Sequence, residues 1–265
     1  MKVIYCGQID YWKNAPDHLG IKQGMQELGW DWHIVDPCMA GSTPDGVAAE
    51  INELNPDLVI HGNTDSFGQH LFERIREDTC QIFNMYDYRT PEMLHQGEWD
   101  DWVKSAPYIS AATVSAKNHI PMWEQAFGVP TFFLAHACWV PPKLVYDPEF
   151  DFDVLFTGGH HSAGPLAARA QLIMDIQLLL IDKAIKIKQV NETDWEKRNQ
   201  VWTDLPKWYH SSKVVLDVSH FWGNPGYCSG RYWYTATLGG CAVTKRFPGC
   251  EEFFPILTNG ILTRQ

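Results

Sequence analysis

Short apolar runs alternate with amphipathic stretches along the first half of the chain, and that rhythm predicts its elements. Runs rich in β-branched, aliphatic and aromatic residues at 2–6, 32–35, 58–61, 81–86, 109–114 and 131–134 predict strands. Helical patterns lie between them at 16–28, 44–54, 68–77 and 116–127. Strand and helix in alternation predict a parallel sheet with helices on both faces, because parallel crossovers need a covering helix. The strands run into Gly, Asp, Asn or His, as in Gly7-Gln8-Ile9-Asp10 and His61-Gly62-Asn63-Thr64-Asp65. In open parallel sheets such carboxyl ends form the ligand crevice.

Val140-Pro141-Pro142-Lys143 and Asp147-Pro148-Glu149 interrupt the rhythm. Proline fixes φ and removes a backbone donor, so helix and central strand are both disfavoured there, and a linker is expected. A second cycle follows: a strand at 153–157, a Gly158-Gly159 turn, a long helix at 165–181, and strands at 185–190, 214–218 and 242–244. The expectation is an α/β protein of two doubly wound, Rossmann-like parallel-sheet domains, 1–142 and 143–265.

Composition narrows the class. With 265 residues and 45% hydrophobic content, the chain can build one large core or two smaller ones. No stretch approaches the roughly 20 apolar residues of a membrane span. The greasiest run, 178–181, is bracketed by Asp175 and Asp182. Residues 1–7 are expected to be a buried first strand rather than a signal peptide, since Asp10 follows so soon. Seven scattered cysteines without a Cys-x-x-Cys pair point to reduced thiols in a cytoplasm, and away from a zinc ribbon or a disulfide framework. A net charge of −11 disfavours broad adhesion to nucleic acid or anionic lipid. The twelve tryptophans suit either stacking on sugar faces or core packing.

The chemistry concentrates in the last third. Tyr227-Cys228-Ser229-Gly230-Arg231 opens a helical pattern that contains Tyr234 and closes at Gly239-Gly240. The apolar strand Cys241-Ala242-Val243-Thr244 follows, then Pro248-Gly249-Cys250-Glu251-Glu252-Phe253. This order resembles the nucleotide-sugar half of GT-B glycosyltransferases, and most closely the CgeB-like (spore maturation protein) group. There the pattern is Ser-Arg-x-x-Glu, a Gly-Gly turn, an apolar strand ending in Thr, and Pro-Gly-x-Glu-Glu-x-Phe. The resemblance spans most of the chain but is specific only over 153–254. It implies two Rossmann-like domains, an acceptor domain first and a nucleotide-sugar domain second. The second is expected to be shortened, since only five residues follow Gly260.

The resemblance also assigns roles. Arg231, near a helix start, would meet the donor diphosphate, where a guanidinium offers paired donors and the helix terminus adds N–H groups. Tyr234 stands where relatives carry the Glu that accepts both ribose hydroxyls. A phenol has one oxygen, so either the ribose is held differently, or the donor nucleotide is not the usual uridine diphosphate form, or Tyr234 simply packs. Gly158, Gly159 and His160 form a turn between strand and helix suited to cradling phosphate, with Arg169 matching an Arg of the following helix. Tight turns need glycine for conformation alone, so that motif is weak by itself. Ser229 and His220 flank the same side of the domain. Glu251 and Glu252 sit where relatives approach the transferred sugar's hydroxyls, although acids at a helix start also suit its dipole. No metal is expected: His160 and His161 point apart on an extended chain, and the resembled enzymes are generally metal-independent.

An acceptor hydroxyl needs a general base if transfer inverts configuration. The candidates at strand ends are Asp87, Asp65, Asp10 and His136, with Asp87 first because Arg89 could hold it ionised and Asp65 second because it could instead cap a helix. The implied function is transfer of a sugar from a nucleotide-diphosphate donor, a UDP-sugar, to a saccharide or protein hydroxyl, without further cofactor. A phage-type transfer to 5-hydroxymethylpyrimidine in DNA is the alternative, with Lys13, Arg74, Arg76, Lys104 and Lys117 available for a basic rim. A non-catalytic nucleotide- or sugar-binding module is a further one.

Overall fold

The first strand, β1 (Lys2–Gly7), is apolar on both faces, and Val3, Ile4, Tyr5 and Cys6 are all fully buried. It is the second strand of a six-stranded parallel sheet, ordered β2-β1-β3-β4-β5-β6. Its partners are β2 (Asp31–Val35), β3 (Leu58–Gly62), β4 (Cys80–Met85), β5 (Ala111–Val114) and β6 (Thr131–Phe133). A four-stranded parallel sheet, ordered β10-β9-β7-β8, contains β7 (Val154–Thr157), β8 (Ile187–Val190), β9 (Val214–Asp217) and β10 (Ala242–Thr244). This architecture comes from a computed structural model, which describes residues 1–7, 15–39, 41–62, 67–85, 96–136, 138–158, 167–183, 185–190, 195–219, 221 and 223–253. The chain divides into two compact units, Met1–Lys13 with Ile21–His136, and Asn14–Gly20 with Ala137–Gln265.

Helices cover the sheets where the sequence pattern requires. In α1 (Pro16–Glu27), the opening turn packs within the second unit: Trp139 N–H donates to Pro16 O (2.9 Å). The backbone of Cys138 passes so close to Gly20 that a Cβ there would lie 2.7 Å from it. In α2 (Pro44–Leu54), Thr43 Oγ1 accepts from Gly46 N–H (3.1 Å), Pro44 occupies the first turn, and Asn55 closes the helix at φ 51°. The predicted helix at 68–77 is much shorter, α3 (Gln69–Phe72). Asn52 of α2 explains why: its side chain donates to Arg74 O (2.9 Å) and accepts from Arg76 N–H (3.1 Å). Those backbone groups are satisfied across the interface instead of along a helix.

Two helices lie outside the predicted set. The helix α4 (Gln96–Lys104) places Trp102 in an aromatic core with Phe83, Trp123 and Phe127 of β4 and α5 (Ile120–Phe127). There Trp123 and Phe127 stack with centroids 5.0 Å apart. The helix α7 (Trp195–Ser211) contains Pro206, which reads as a breaker in sequence. It survives because Leu205 and Tyr209, four apart, are buried against Leu155 and Val215 of the second sheet. The remaining helices are α6 (Ala167–Leu180) and α8 (Gly230–Thr237). No helix among the described residues is long and apolar enough to cross a membrane.

Candidate active site

The second unit gathers buried charge at the carboxyl ends of two neighbouring strands. Strands β7 and β9 pair in parallel, Leu155 opposite Val215, so Thr157 and Asp217 end their strands on the same edge. Gly158 follows β7 with φ 145°, a region open essentially to glycine alone. A Cβ at this position would lie 3.3 Å from Arg231 Nη1 and 3.6 Å from Arg169 Nη2. Two guanidinium groups therefore converge on a bare stretch of backbone, and any side chain would intrude between them.

Each arginine is positioned by its own helix. Arg231 is the second residue of α8, and its Nη2 donates to Val218 O (3.1 Å) just beyond β9. Ser229 takes the extended N-cap conformation, leaving the first N–H groups of α8 without intrahelical partners. Arg169, in the first turn of α6, is 3% exposed and packs with its Cζ 5.6 Å from the Phe156 ring centroid. Burial, reinforced by the Arg231 charge and opposed by Tyr227, lowers its pKa to about 9. Burial and a second guanidinium nearby both disfavour the charged form of Arg169.

Asp217 was not among the candidate residues, and it is the acid of this corner. Its side chain is fully buried, and neither carboxylate oxygen has a hydrogen-bond partner among the described residues. Burial raises its pKa to about 7, with Thr235 and Arg231 pulling the other way. The Thr235 hydroxyl donates to Arg231 O (2.9 Å). The sequence signal was an acid ending the apolar strand Val214-Val215-Leu216-Asp217. Tyr209 joins the corner from α7: its hydroxyl bonds Thr157 Oγ1 at 2.6 Å, and burial followed by the Asp217 charge pushes its pKa up.

Thus Gly158, Arg169 and Arg231 are brought together as one constellation. Ser229 is buried at the start of α8. Tyr234 packs against the cluster of Leu155, Tyr209 and Leu238, and its phenol titrates well above the ordinary range because it is buried and near Asp17, Cys138 and Tyr209. Glu251 and Glu252 are exposed on a turn, Cys250–Glu252, entered through Gly249 at φ 81°. Backbone N–H bonding, the Cys250 thiol and Arg246 hold the Glu251 carboxyl below its usual range. Asp87, Asp65, Asp10, Gly159, His160 and His220 lie outside the described residues. His136 stands just past β6.

Of the cations suggested for a DNA-facing rim, Arg74 is paired with Asp45 and Glu73, Arg76 with Asp78, and Lys104 with Asp101. Lys117 stands 5.2 Å from the Phe133 ring centroid, and Lys13 lies outside the described residues. Among the described residues no group of three or more His, Cys, Asp or Glu could hold a metal ion.

Solved structures share this architecture. HepE of Anabaena, in complex with UDP and glucose, superposes over 100% of this chain and 86% of its own, with a TM-score of 0.58 at 15% identity. Sucrose-phosphate synthase of Thermosynechococcus elongatus covers 95% of this chain and 83% of its own, with a TM-score of 0.54 at 9% identity. T4 phage BGT, in complex with its UDP-glucose substrate, covers 97% and 84%, with a TM-score of 0.52 at 10% identity. The fold is therefore the GT-B fold, two Rossmann-like parallel-sheet domains. No family model matches the chain, and no curated protein matches it.

Proposed function

We propose that the protein is a cytoplasmic, metal-independent GT-B glycosyltransferase of the CgeB-like kind, moving a sugar from a UDP-sugar to a hydroxyl acceptor. The observation that carries this reading is the convergence of Arg169 and Arg231 on Gly158 at the carboxyl ends of β7 and β9. A bare glycine backbone, two guanidiniums and the N-terminus of α8 suit one diphosphate. The shared fold with HepE and BGT, both solved with UDP species, supports the same donor class. The scattered cysteines of the sequence support the cytoplasmic assignment.

In the reaction, the bond between the anomeric carbon and the β-phosphate oxygen breaks while the acceptor oxygen bonds that carbon. The departing UDP gains negative charge, which Arg169 and Arg231 stabilise. The acceptor proton passes to Asp87, or to Asp65 if Asp87 does not serve, from the acceptor domain at 1–142; the donor domain is 143–265. A saccharide or protein hydroxyl is the favoured acceptor, because Arg74, Arg76 and Lys104 are neutralised by acids.

A thermal-shift series with UDP, GDP, ADP and CDP tests the donor site, since a ligand of the folded state raises the melting temperature. UDP should stabilise the wild type and not an Arg169→Ala/Arg231→Ala double variant. Release of UDP from UDP-glucose should then be followed with a saccharide, a Ser/Thr peptide and 5-hydroxymethylcytosine DNA as acceptors. Binding without release under any acceptor would identify a non-catalytic module, and no response to any nucleotide would overturn the reading.

A further inference from the structure

The helix α6 is apolar on more than one side. Its inner face packs on the second sheet: Ile173 is buried, and Leu172 and Ile176 partly buried, against Phe156, Leu216 and Val218. Its outer face is apolar as well. Met174 is 51% exposed, Leu178 60%, Leu179 74%, and Ile181 of the following 3-10 turn (Ile181–Lys183) 71%. Met174, Leu178 and Ile181 recur at spacings of four and three, so they form one stripe, with Leu179 beside it. A helix that is apolar on its outer as well as its inner face is ordinarily covered. Uncovered, the four side chains present on the order of 500 Å² to water, the upper end of what a monomer's largest apolar patch reaches.

The patch has a polar rim. Gln171 Nε2 donates to Asp175 Oδ1 (2.7 Å), and Gln177 Nε2 donates to Gln189 Oε1 of β8 (3.2 Å). Strand β8 is an edge of its sheet, but it is short and carries Lys188, with Lys186 just before it, features that discourage strand pairing. A helical contact is therefore favoured over extension of the sheet. The charges on α6 and its terminal turn allow it to pair with itself. Asp175 and Lys183 are both exposed, with Leu179 midway between them. A two-fold axis crossing the helix at Leu179 runs two copies antiparallel and sets each Asp175 against the Lys183 of the other. Ile181 of each copy then falls between Met174 and Leu178 of the other. A parallel pairing would instead set Asp175 against Asp175 and Asp182 against Asp182. Covering both patches removes on the order of 1,000 Å² from water, the size at which a specific interface becomes stable.

We propose that the outer face of α6 is a homodimer interface, occupied by the same face of a second copy of this chain in antiparallel register about Leu179. The contact is isologous, so it closes at two copies and does not propagate. Arg169 is buried on the inner side of α6, so the interface is separate from the arginine corner. The inference holds whether or not the donor reading does.

Sedimentation velocity on the full chain tests it, in reducing buffer and from low to high micromolar concentration. The wild type should sediment as a dimer, and Leu178→Lys and Ile181→Lys as monomers that circular dichroism shows to be folded. Asp175→Lys and Lys183→Asp should each weaken dimerisation on the order of tenfold, because two symmetric pairs are lost. The double variant Asp175→Lys/Lys183→Asp should recover most of that loss. A wild-type monomer at every concentration would overturn the proposal and leave the stripe to be covered by another part of the same chain. A dimer that survives both lysine variants, or a charge reversal that the double variant does not rescue, would overturn it too. Should the lysine variants not fold, the wild type supplies the answer. Mixed labelled and unlabelled chains, treated with a zero-length carbodiimide cross-linker, should yield Asp175–Lys183 peptides that join one chain of each kind. Within one chain the two residues lie roughly 12 Å apart along the helix, too far for such a link. Cross-linked peptides that never join the two kinds of chain would count against the interface.

Discussion

The two sheets treat buried polar groups differently. Within the strands of the six-stranded sheet they are neutral, and the one buried carboxylate nearby, Asp36 just past β2, accepts from Cys38 N–H. Fully buried His61 meets Gln81 Oε1 through Nε2 (2.9 Å), Gln81 donates onward to Phe72 O (3.1 Å), and Thr113 Oγ1 donates to Asn84 Oδ1 (2.6 Å). Around the four-stranded sheet neutral groups are buried too, Thr157 bonded to Tyr209 among them, but charged groups join them: Asp217 at the end of β9, Arg169 of α6, and half-buried Arg231 of α8 converging with Arg169 on Gly158. Neutral pairs suffice to satisfy a Rossmann-like sheet, so the fold itself does not require the charges. Desolvated charge is costly and concentrates where chemistry needs it, so the charged corner is the place to test the donor reading.

If the first unit supplies the base and the second the donor site, the largest effect should be purely catalytic. Asp87→Asn should reduce turnover roughly 10² to 10⁴-fold with UDP affinity unchanged. Steady-state kinetics with calorimetry checks this. Full activity would remove Asp87 as the base and leave Asp65 to be tested.

The next effect separates the sheets by pH. Burial lowers the pKa of His61 from 6.5 to about 4, so the unfolded chain takes up its proton first. Its contribution is present above pH 6.5 and lost as the pH falls through 4. Burial raises the pKa of Asp217 from 3.8 to about 7, so its contribution is present below pH 3.8 and lost as the pH rises through 7. The two slopes oppose each other between about pH 4 and 6.5. Urea unfolding of His61→Gln should remove acid sensitivity on the order of 3 kcal/mol, and Asp217→Asn a base-side loss of similar size. Slopes of the same sign in the two variants would erase the contrast between the sheets.

A third test addresses the donor corner. Arg231→Ala should weaken UDP binding by about 2 kcal/mol, the scale of a lost charged hydrogen bond. Arg231→Lys should recover only part of that, because an ammonium cannot reproduce the guanidinium fork. Calorimetry that finds full affinity in Arg231→Ala would move the phosphate site away from Gly158.

How much of this was legible depends on the physics behind each feature. Continuous apolar runs located all ten described strands within a few residues, because a sheet buried on both faces leaves little room for polar positions. The Pro-capped helix α2 was legible at both ends, since Thr43, Pro44 and Asn55 act locally. What was not legible depends on distant partners. The shortening of α3 is imposed by Asn52, and α7 tolerates Pro206 because Leu205 and Tyr209 pack on the sheet. At the corner where they converge, Arg231 and the Gly158 turn were singled out through the resembled motif order, and Arg169 through the helix that follows. Asp217 was missed because an acid at a strand end is common; only burial without a hydrogen-bond partner sets it apart.

The smallest effect tests whether the hydrogen bonds beneath the two sheet edges have the same role. Tyr209→Phe removes the bond to Thr157 and leaves one buried hydroxyl to rearrange, while Thr113→Val removes the bond to Asn84 and leaves a buried amide oxygen unsatisfied. Each should cost about 1 kcal/mol of stability, with Thr113→Val the more damaging, because an orphaned buried acceptor loses its full solvation. Their effects on ligand should differ. Thr157 immediately precedes Gly158, so loosening it should let the phosphate turn drift and weaken UDP binding a few-fold. Thr113→Val, in the neutral sheet, should leave UDP affinity unchanged at a temperature where both variants are folded. If calorimetry finds the same affinity in both variants, Tyr209 is only a core residue, and the charged corner holds its geometry through Arg169, Asp217 and Arg231 alone.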